Sequence, residues 1–264
     1  MSSTAQSLES KGTALVTGAA QGIGRAIALR LAADGFDVAL NDIPSKTALL
    51  EGVQAEVIAA GRRTAVVCAD VSIETEVRDM VVRTVQELGA LDVMVANAGI
   101  CKARKTLLEV DVAEWDRTFA VNVRGTFLCY QYAAKQMIQQ GRGGRIIGAS
   151  SGAGKQGFGA LPDYSASKFA VRGLTQAAAL ELGKHGITVN AYAPGGVETP
   201  MTEQFPALAG MNPDAFFAMQ AKGTATGRNP TPEDIATVVS FLASKESGFI
   251  TGQSISADGG KYFD

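Results

Sequence analysis

Seven short apolar runs punctuate the chain: TALVTG (13–18), DVALND (37–42), TAVVCAD (64–70), LDVMVANAG (91–99), GRIIGAS (144–150), ITVNAYAPG (187–195) and QSISADGG (253–260). Each is close to continuously apolar rather than alternating, the pattern of a strand covered on both faces. Between them lie segments such as GIGRAIALRLAADG and VRDMVVRTVQELG, whose apolar residues recur at three and four and which end in glycine. That pattern predicts helices closed by glycine caps. Strand and helix alternate along the chain, so the expected class is α/β: a doubly wound parallel sheet of about seven strands, with helices on both faces and right-handed crossovers.

No repeat or low-complexity linker interrupts the series. The expectation is one domain over 12–264 behind a flexible tail at 1–11. The one long irregular stretch spans about 199–230, and long segments of this kind tend to be lids. Its Met201, Phe205, Met211, Phe216, Phe217 and Met219 suit an adaptable apolar cover, or a peripheral helix that packs the same residues on the body. At 264 residues, 46% hydrophobic and 19% charged, the chain buries a sizeable core.

A net charge of -2 without basic runs leaves no electrostatic footprint for nucleic acid or an anionic membrane. No apolar run reaches the length of a membrane span, and the N-terminus lacks the basic and apolar regions of a secretory signal. Cys68, Cys101 and Cys129 are few and widely spaced, with a single histidine beside them. They read as reduced thiols of a cytoplasmic protein without a metal site, whose partner is a small molecule.

Directly after the first strand run stands TGAAQGIG, with glycines at 18, 22 and 24 opening a helical pattern. A strand, glycine turn and helix in succession cradle a pyrophosphate: Gly18 for the tight turn, Gly22 for close backbone approach, Gly24 for helix-on-strand packing. The second strand ends at Asp42, 18 residues past Gly24, where a carboxylate holds ribose hydroxyls and repels a 2′-phosphate. With the neutral Gln21 before Gly22, this favours NAD(H), while Lys46 keeps NADP(H) open. Further on, YSASK puts Tyr164 and Lys168 one turn apart on a helix face.

Together these motifs resemble those of the short-chain dehydrogenase/reductase family, over essentially the whole chain. TGAAQGIG is similar to its coenzyme turn, NAG (97–99) to its central-strand motif, YSASK to its YxxxK motif and PGGVETP (194–200) to its nicotinamide-side loop. The resemblance implies a catalytic tetrad of Asn122, Ser151, Tyr164 and Lys168, with Ser151 standing 13 residues before Tyr164. It implies coenzyme contacts from Gly18, Gln21, Gly22, Ile23, Gly24, Asp42, Asp70, Val71, Asn97, Ala98, Gly99, Tyr164, Lys168, Pro194, Gly195, Val197 and Thr199. Tyr164 is then the acid/base, with its pKa lowered from about 10 by the Lys168 ammonium and a positive nicotinamide. Ser151 stabilises the substrate oxygen, Lys168 also holds the nicotinamide ribose, and Asn122 anchors a water behind the lysine. Taken singly, each of these residues has an ordinary structural explanation; together, and in order, they outweigh it.

Within the family, SKFAVRGLTQ, GITVNAYAPG and FITGQS look most similar to acetoin (diacetyl) reductases, also called 2,3-butanediol dehydrogenases. The expected substrate pocket is Ser151, Lys155, Gln156, Phe158, Tyr164 and Gly195, with Lys102, Arg104 and Lys105 at its rim. A polyol, ketosugar, cyclic ketone or 3-oxoacyl thioester stays open. A rival hydrolase reading rests on GASSG around Ser150, followed by Asp163 and His185 in triad order; a non-catalytic nucleotide-binding scaffold is the other rival. The helix from Tyr164 is apolar or small around most of its circumference, which calls for a second partner surface. In the family that surface is another subunit, which implies a homotetramer.

Overall fold

The computed structural model describes residues 10–103 and 106–263; residues 1–9 of the expected tail, with Arg104 and Lys105 of the expected rim, lie outside the described residues. Seven strands form one sheet: β1 (Thr13–Thr17), β2 (Asp37–Asn41), β3 (Thr64–Val66), β4 (Val93–Ala96), β5 (Gly144–Ala149), β6 (Ile187–Pro194) and β7 (Ser254–Ala257). Their order is β3-β2-β1-β4-β5-β6-β7, and every pairing is parallel. The chain winds outward from β1 to β3 and then returns to the other side of β1. The reversal leaves a crevice at the carboxyl ends of β1 and β4, the place where such sheets bind ligands.

Among the described residues nine α-helices fill the connections: α1 (Gly22–Asp34), α2 (Thr47–Ala59), α3 (Glu74–Leu88), α4 (Val112–Phe119), α5 (Thr126–Gln140), α6 (Pro162–Leu182), α7 (Phe205–Leu208), α8 (Pro213–Lys222) and α9 (Pro232–Ala243). The glycine caps read from sequence are present, with Gly35 after α1 at φ 105° and Gly89 after α3 at φ 94°, in the left-handed region that glycine enters at least cost. Strand residues divide by parity between two cores. Ala14 and Val16 of β1 pack with Ile27 and Leu31 of α1 and Val239 of α9. Leu15 between them faces the other side, with Val77 of α3, Met137 of α5 and Leu182 of α6.

Two strand runs depart from expectation. β3 stops at Val66 because Asn41 reaches across and takes the carbonyls of Val67 and Ala69 on its Nδ2, at 2.8 and 3.2 Å. β7, paired only with β6 at the sheet edge, is half-buried rather than covered on both faces. The 199–230 stretch is also more regular than its composition predicts: it holds α7 and α8. Asn212 caps α8 by accepting from Ala215 N at 2.8 Å, and Pro213 takes its first position, a start signal of ordinary kind. No helix among the described residues is long and apolar enough to cross a membrane.

Candidate active site

A cleft of about 940 Å³ opens at the carboxyl ends of β1, β4, β5 and β6. Its first wall is the glycine turn. Gly18 and Gly22 have φ of 66° and 55°. A side chain on Gly24 would run into the carbonyl oxygen of Gly18 and come within 2.5 Å of Asn97 Nδ2. Asn97 pins this turn from the side: its Nδ2 donates to Thr17 O and Gly18 O at 2.8 and 3.2 Å, and its Oδ1 accepts from Tyr192 OH at 2.7 Å. With the amide so engaged, what Asn97 offers a bound nucleotide is the position of the turn and its own backbone.

Gly22, Ile23 and Gly24 of the first turn of α1 line the cleft, with no acidic residue there and no capping bond from the Gln21 side chain. An uncapped helix start beside an open cleft is an anion-binding arrangement. Asp42 lines the next part, its Oδ2 accepting from Ala20 N at 3.2 Å and its Oδ1 from Ile43 N at 2.9 Å. Lys46 Nζ lies 3.4 Å from Gln21 Oε1. Asp70, held by Ser72 N and Oγ at 2.9 and 2.6 Å, follows with Val71. Ala98, Gly99, Pro194, Gly195, Val197 and Thr199 complete the lining. A glycine cradle that a Cβ would fill, an uncapped helix start and a carboxylate at the end of β2 fit a dinucleotide.

The reactive end is built by α6. Proline at its first position fixes its start, and one turn of helix brings Tyr164 and Lys168 together: Lys168 Nζ stands 5.4 Å from the centre of the Tyr164 ring. The ammonium donates to Ala149 O at 2.8 Å. Ser151, in the turn after β5, accepts from Ala153 N at 3.1 Å and lines the cleft together with Tyr164. Asn122 sits just behind the cleft, in a π-helical turn (Ala120–Gly125) between α4 and α5; such turns often mark functional positions. Its Oδ1 accepts from Ile100 N at 2.8 Å, while its Nδ2 donates to Ile100 O at 2.9 Å and to Ser167 Oγ at 3.1 Å. Ser167 in turn donates to Tyr164 O at 2.7 Å. Lys168 and Asn122 both border Gly99, where a Cβ would stand 3.4 Å from Nζ and 3.3 Å from Oδ1.

Burial dominates the electrostatics of the pair. It pushes the Tyr164 phenol above its ordinary value, nearby Cys101 adds to the rise, and Ser151 opposes it. Burial also brings Lys168 down to about 8, against a smaller rise from Cys101. Desolvation disfavours both charged forms; the lowering expected for Tyr164 calls on a positive nicotinamide as well as on the lysine.

The expected substrate wall needs correction. Phe158 and Gly195 line the cleft, but Lys155 donates to Ser254 O at 2.6 Å and Gln156 is exposed outside it. Both follow the turn of Gly152–Gly154, which carries the chain away from the opening. Lys102 is exposed and pairs with Glu114 rather than lining the cleft. From the 199–230 stretch, Met201, Phe205, Phe216 and Phe217 face the cleft, whereas Met211 and Met219 do not. Sequence reasoning missed Gln220, Lys261 and Tyr262, which join the same wall. The hydrolase triad is dispersed. Ser150 is buried and donates to Lys168 O at 3.2 Å, Asp163 is buried and accepts from Thr118 Oγ1 at 2.8 Å, and His185 is exposed in the turn leading into β6, at the other end of the sheet.

The profile described as enoyl-(acyl carrier protein) reductase matches residues 18–261. A short-chain dehydrogenase/reductase of Armillaria gallica is 57% identical over 95% of this chain and 96% of its own length. The chain belongs to the short-chain dehydrogenase/reductase family. Another relative, the L-2,3-butanediol dehydrogenase of Corynebacterium glutamicum, is 44% identical over 95% of this chain and 98% of its own. Among solved short-chain dehydrogenase/reductase structures, levodione reductase superposes with a TM-score of 0.90 at 33% identity, covering 96% of this chain and 98% of that one. Members of this family are oxidoreductases that use nicotinamide cofactors, and the fold, sheet order and motif positions described above are those of such an enzyme.

Proposed function

We propose that the chain is an NAD(H)-dependent dehydrogenase that interconverts a small secondary alcohol or diol with its ketone. The observation that carries this reading is the meeting of Ser151, Tyr164 and Lys168 in the cleft that also holds the glycine turn and Asp42. When bound, the nicotinamide exchanges the hydride with the substrate carbon. Ser151 and Tyr164, which line the same cleft, converge on the substrate oxygen. In reduction Tyr164 donates its proton there; in oxidation it takes one. A phenol held above its ordinary pKa is ready as the acid, and the Lys168 ammonium beside it tempers the charge when the proton leaves. Lys168 also holds the nicotinamide ribose. Asn122, its amide committed to Ile100 and Ser167, keeps the helix of Tyr164 against the π-helical turn.

Asp42 supports NAD(H) over NADP(H), because a 2′-phosphate beside it brings two negative charges together. The likeness to butanediol dehydrogenase supports an acetoin, diacetyl or 2,3-butanediol type of substrate. The aromatic wall of Phe158, Phe205, Phe216, Phe217 and Tyr262 favours a second reading, a ketone with a larger apolar part such as a cyclic ketone. Exposed Phe127 on α5 and Phe169 and Leu180 on α6 support a homotetramer formed through these helices, and Cys68, Cys101 and Cys129, which form no disulfide among the described residues, support a cytoplasmic setting. Nicotinamide absorbance followed with NADH and with NADPH against diacetyl, acetoin, a cyclic ketone, a ketosugar and an acetoacetyl thioester tests the reading. Turnover of a ketone with NADH is expected; a preference for NADPH, or no turnover of any ketone, contradicts it.

A further inference from the structure

The cleft continues past Ser151 into a wall made by the last residues of the chain. Asp258, buried at the end of β7, organises them. Its Oδ1 accepts from Gly260 N and Lys261 N at 3.0 and 3.3 Å, and its Oδ2 from Tyr262 N at 3.0 Å. The resulting turn presses on the loop after β6, where a side chain at Gly195 would stand 3.0 Å from Asp258 Cβ. It also lays the Tyr262 ring over Gly152, the neighbour of Ser151, where a Cβ would come within 2.9 Å of the ring. Phe158 meets that ring edge-on at 5.6 Å. Lys261 Nζ stands over the same ring, 5.7 Å from its centre.

Lys261 is half-buried, lines the cleft and donates to Gln220 Oε1 at the end of α8. No carboxylate of the described residues pairs with it, because the nearby Asp258 spends its oxygens on three backbone amides. An ammonium drawn into an apolar wall without a direct ion pair costs solvation that a bound anion repays. Burial lowers its pKa and Asp258 partly restores it, as for a cation held by the fold in a poorly solvated place.

We propose that Lys261 is a specificity-determining residue whose ammonium receives a carboxylate on the substrate, in the same cleft as the reacting carbonyl and beside the Tyr262 ring. The substrate class is an oxo acid, with its hydroxy acid as the reduced form, in which an apolar, ring-sized spacer lies between Phe158, Tyr262 and the α8 aromatics. This rests on the oxidoreductase reading and adds the second anchor point that the Ser151 and Tyr164 pair lacks.

Two probes that differ only in charge test it: 4-oxocyclohexanecarboxylate and its methyl ester, titrated calorimetrically into the full chain saturated with NAD, where no reduction proceeds. The acid is expected to bind about tenfold or more tightly than the ester, the scale of one charge-assisted hydrogen bond. The Lys261→Met variant should bring the two together, while Lys261→Arg keeps the acid ahead. If Lys261 only struts α8 against the end of the chain, Lys261→Met weakens both probes alike; that result overturns the proposal, as does equal or undetectable binding of the acid to the wild type. Reduction of the ester by NADH is read in parallel: it reports on the oxidoreductase reading alone, so the two failures are told apart.

Discussion

Replacing Gly24 with alanine tests whether the glycine turn is set by contact rather than by chain flexibility. Gly24 lies in α1 with ordinary helical dihedrals, so intrinsic propensity alone says that Gly24→Ala gains about 0.5–1 kcal/mol. Its Cβ, however, would enter the carbonyl oxygen of Gly18 and stand 2.5 Å from Asn97 Nδ2. Neither neighbour yields easily: Gly18 is backbone, and Asn97 is bonded to Thr17 O, Gly18 O and Tyr192 OH. Overpacking of this kind costs about 1–3 kcal/mol, and each hydrogen bond drawn out of line about 1 kcal/mol more. The expected net loss is therefore about 2–4 kcal/mol, measured as a lower urea midpoint with unchanged slope. Nucleotide affinity, read from NADH fluorescence, should fall with it. Gly52→Ala in α2, where a Cβ meets nothing within 4 Å, is the control and should gain about 0.5–1 kcal/mol. A Gly24→Ala protein as stable as the wild type, binding NADH as tightly, would refute the packing account of the turn.

Asp42→Ala should raise the NADPH-to-NADH ratio of kcat/KM by on the order of tenfold or more, since it removes a like charge and leaves Lys46 beside Gln21; an unchanged ratio moves cofactor choice elsewhere. Arg62 and Arg63 meet Asp37 at 2.7 and 3.1 Å across the start of β2, with the Arg62 and Asp37 side chains buried. Asp37→Ala should cost about 3 kcal/mol in urea unfolding at neutral pH, the low end for breaking a buried pair. Burial alone raises the Asp37 carboxyl, but the hydrogen bonds from Arg63 and the charge and bond of Arg62 outweigh it and hold it below its ordinary 3.8. This contribution is thus complete above pH 3.8 and drains away as pH falls through the lower folded value, so the gap between wild type and variant should narrow in acid; a gap that widens there refutes the assignment.

The sheet was legible in the sequence because five of the seven runs are covered on both faces or nearly so, which leaves an apolar signature that needs no partner to read, while β3 and β7 at the two edges are half-buried. β7 at the edge was recognisable as a strand, but its half-burial depends on having β6 on one side only. Tyr164 and Lys168 were legible because helical spacing is a local property, Ser151 because it stands 13 residues before Tyr164, and Asn122 only through the family resemblance of its segment. Gln220, Lys261 and Tyr262 carry no such local mark: a turn built by Asp258 brings the chain end to α8 and Gly152 across long separations in sequence. The burial of Tyr164 is hidden for a related reason. Sequence shows the neighbouring ammonium, whereas the burial that raises the phenol is a property of the packed cleft.

The central claim is that Tyr164 moves the proton while Ser151 and Lys168 attend it. Steady-state NADH oxidation by Tyr164→Phe, with whichever ketone the wild type reduces, examines it most directly, since phenylalanine keeps the ring and removes the hydroxyl that carries the exchangeable proton. Turnover should fall about 10²- to 10⁴-fold, the range for losing a general acid, with NADH binding by fluorescence preserved. Unchanged turnover in a variant that still binds NADH would contradict the mechanism.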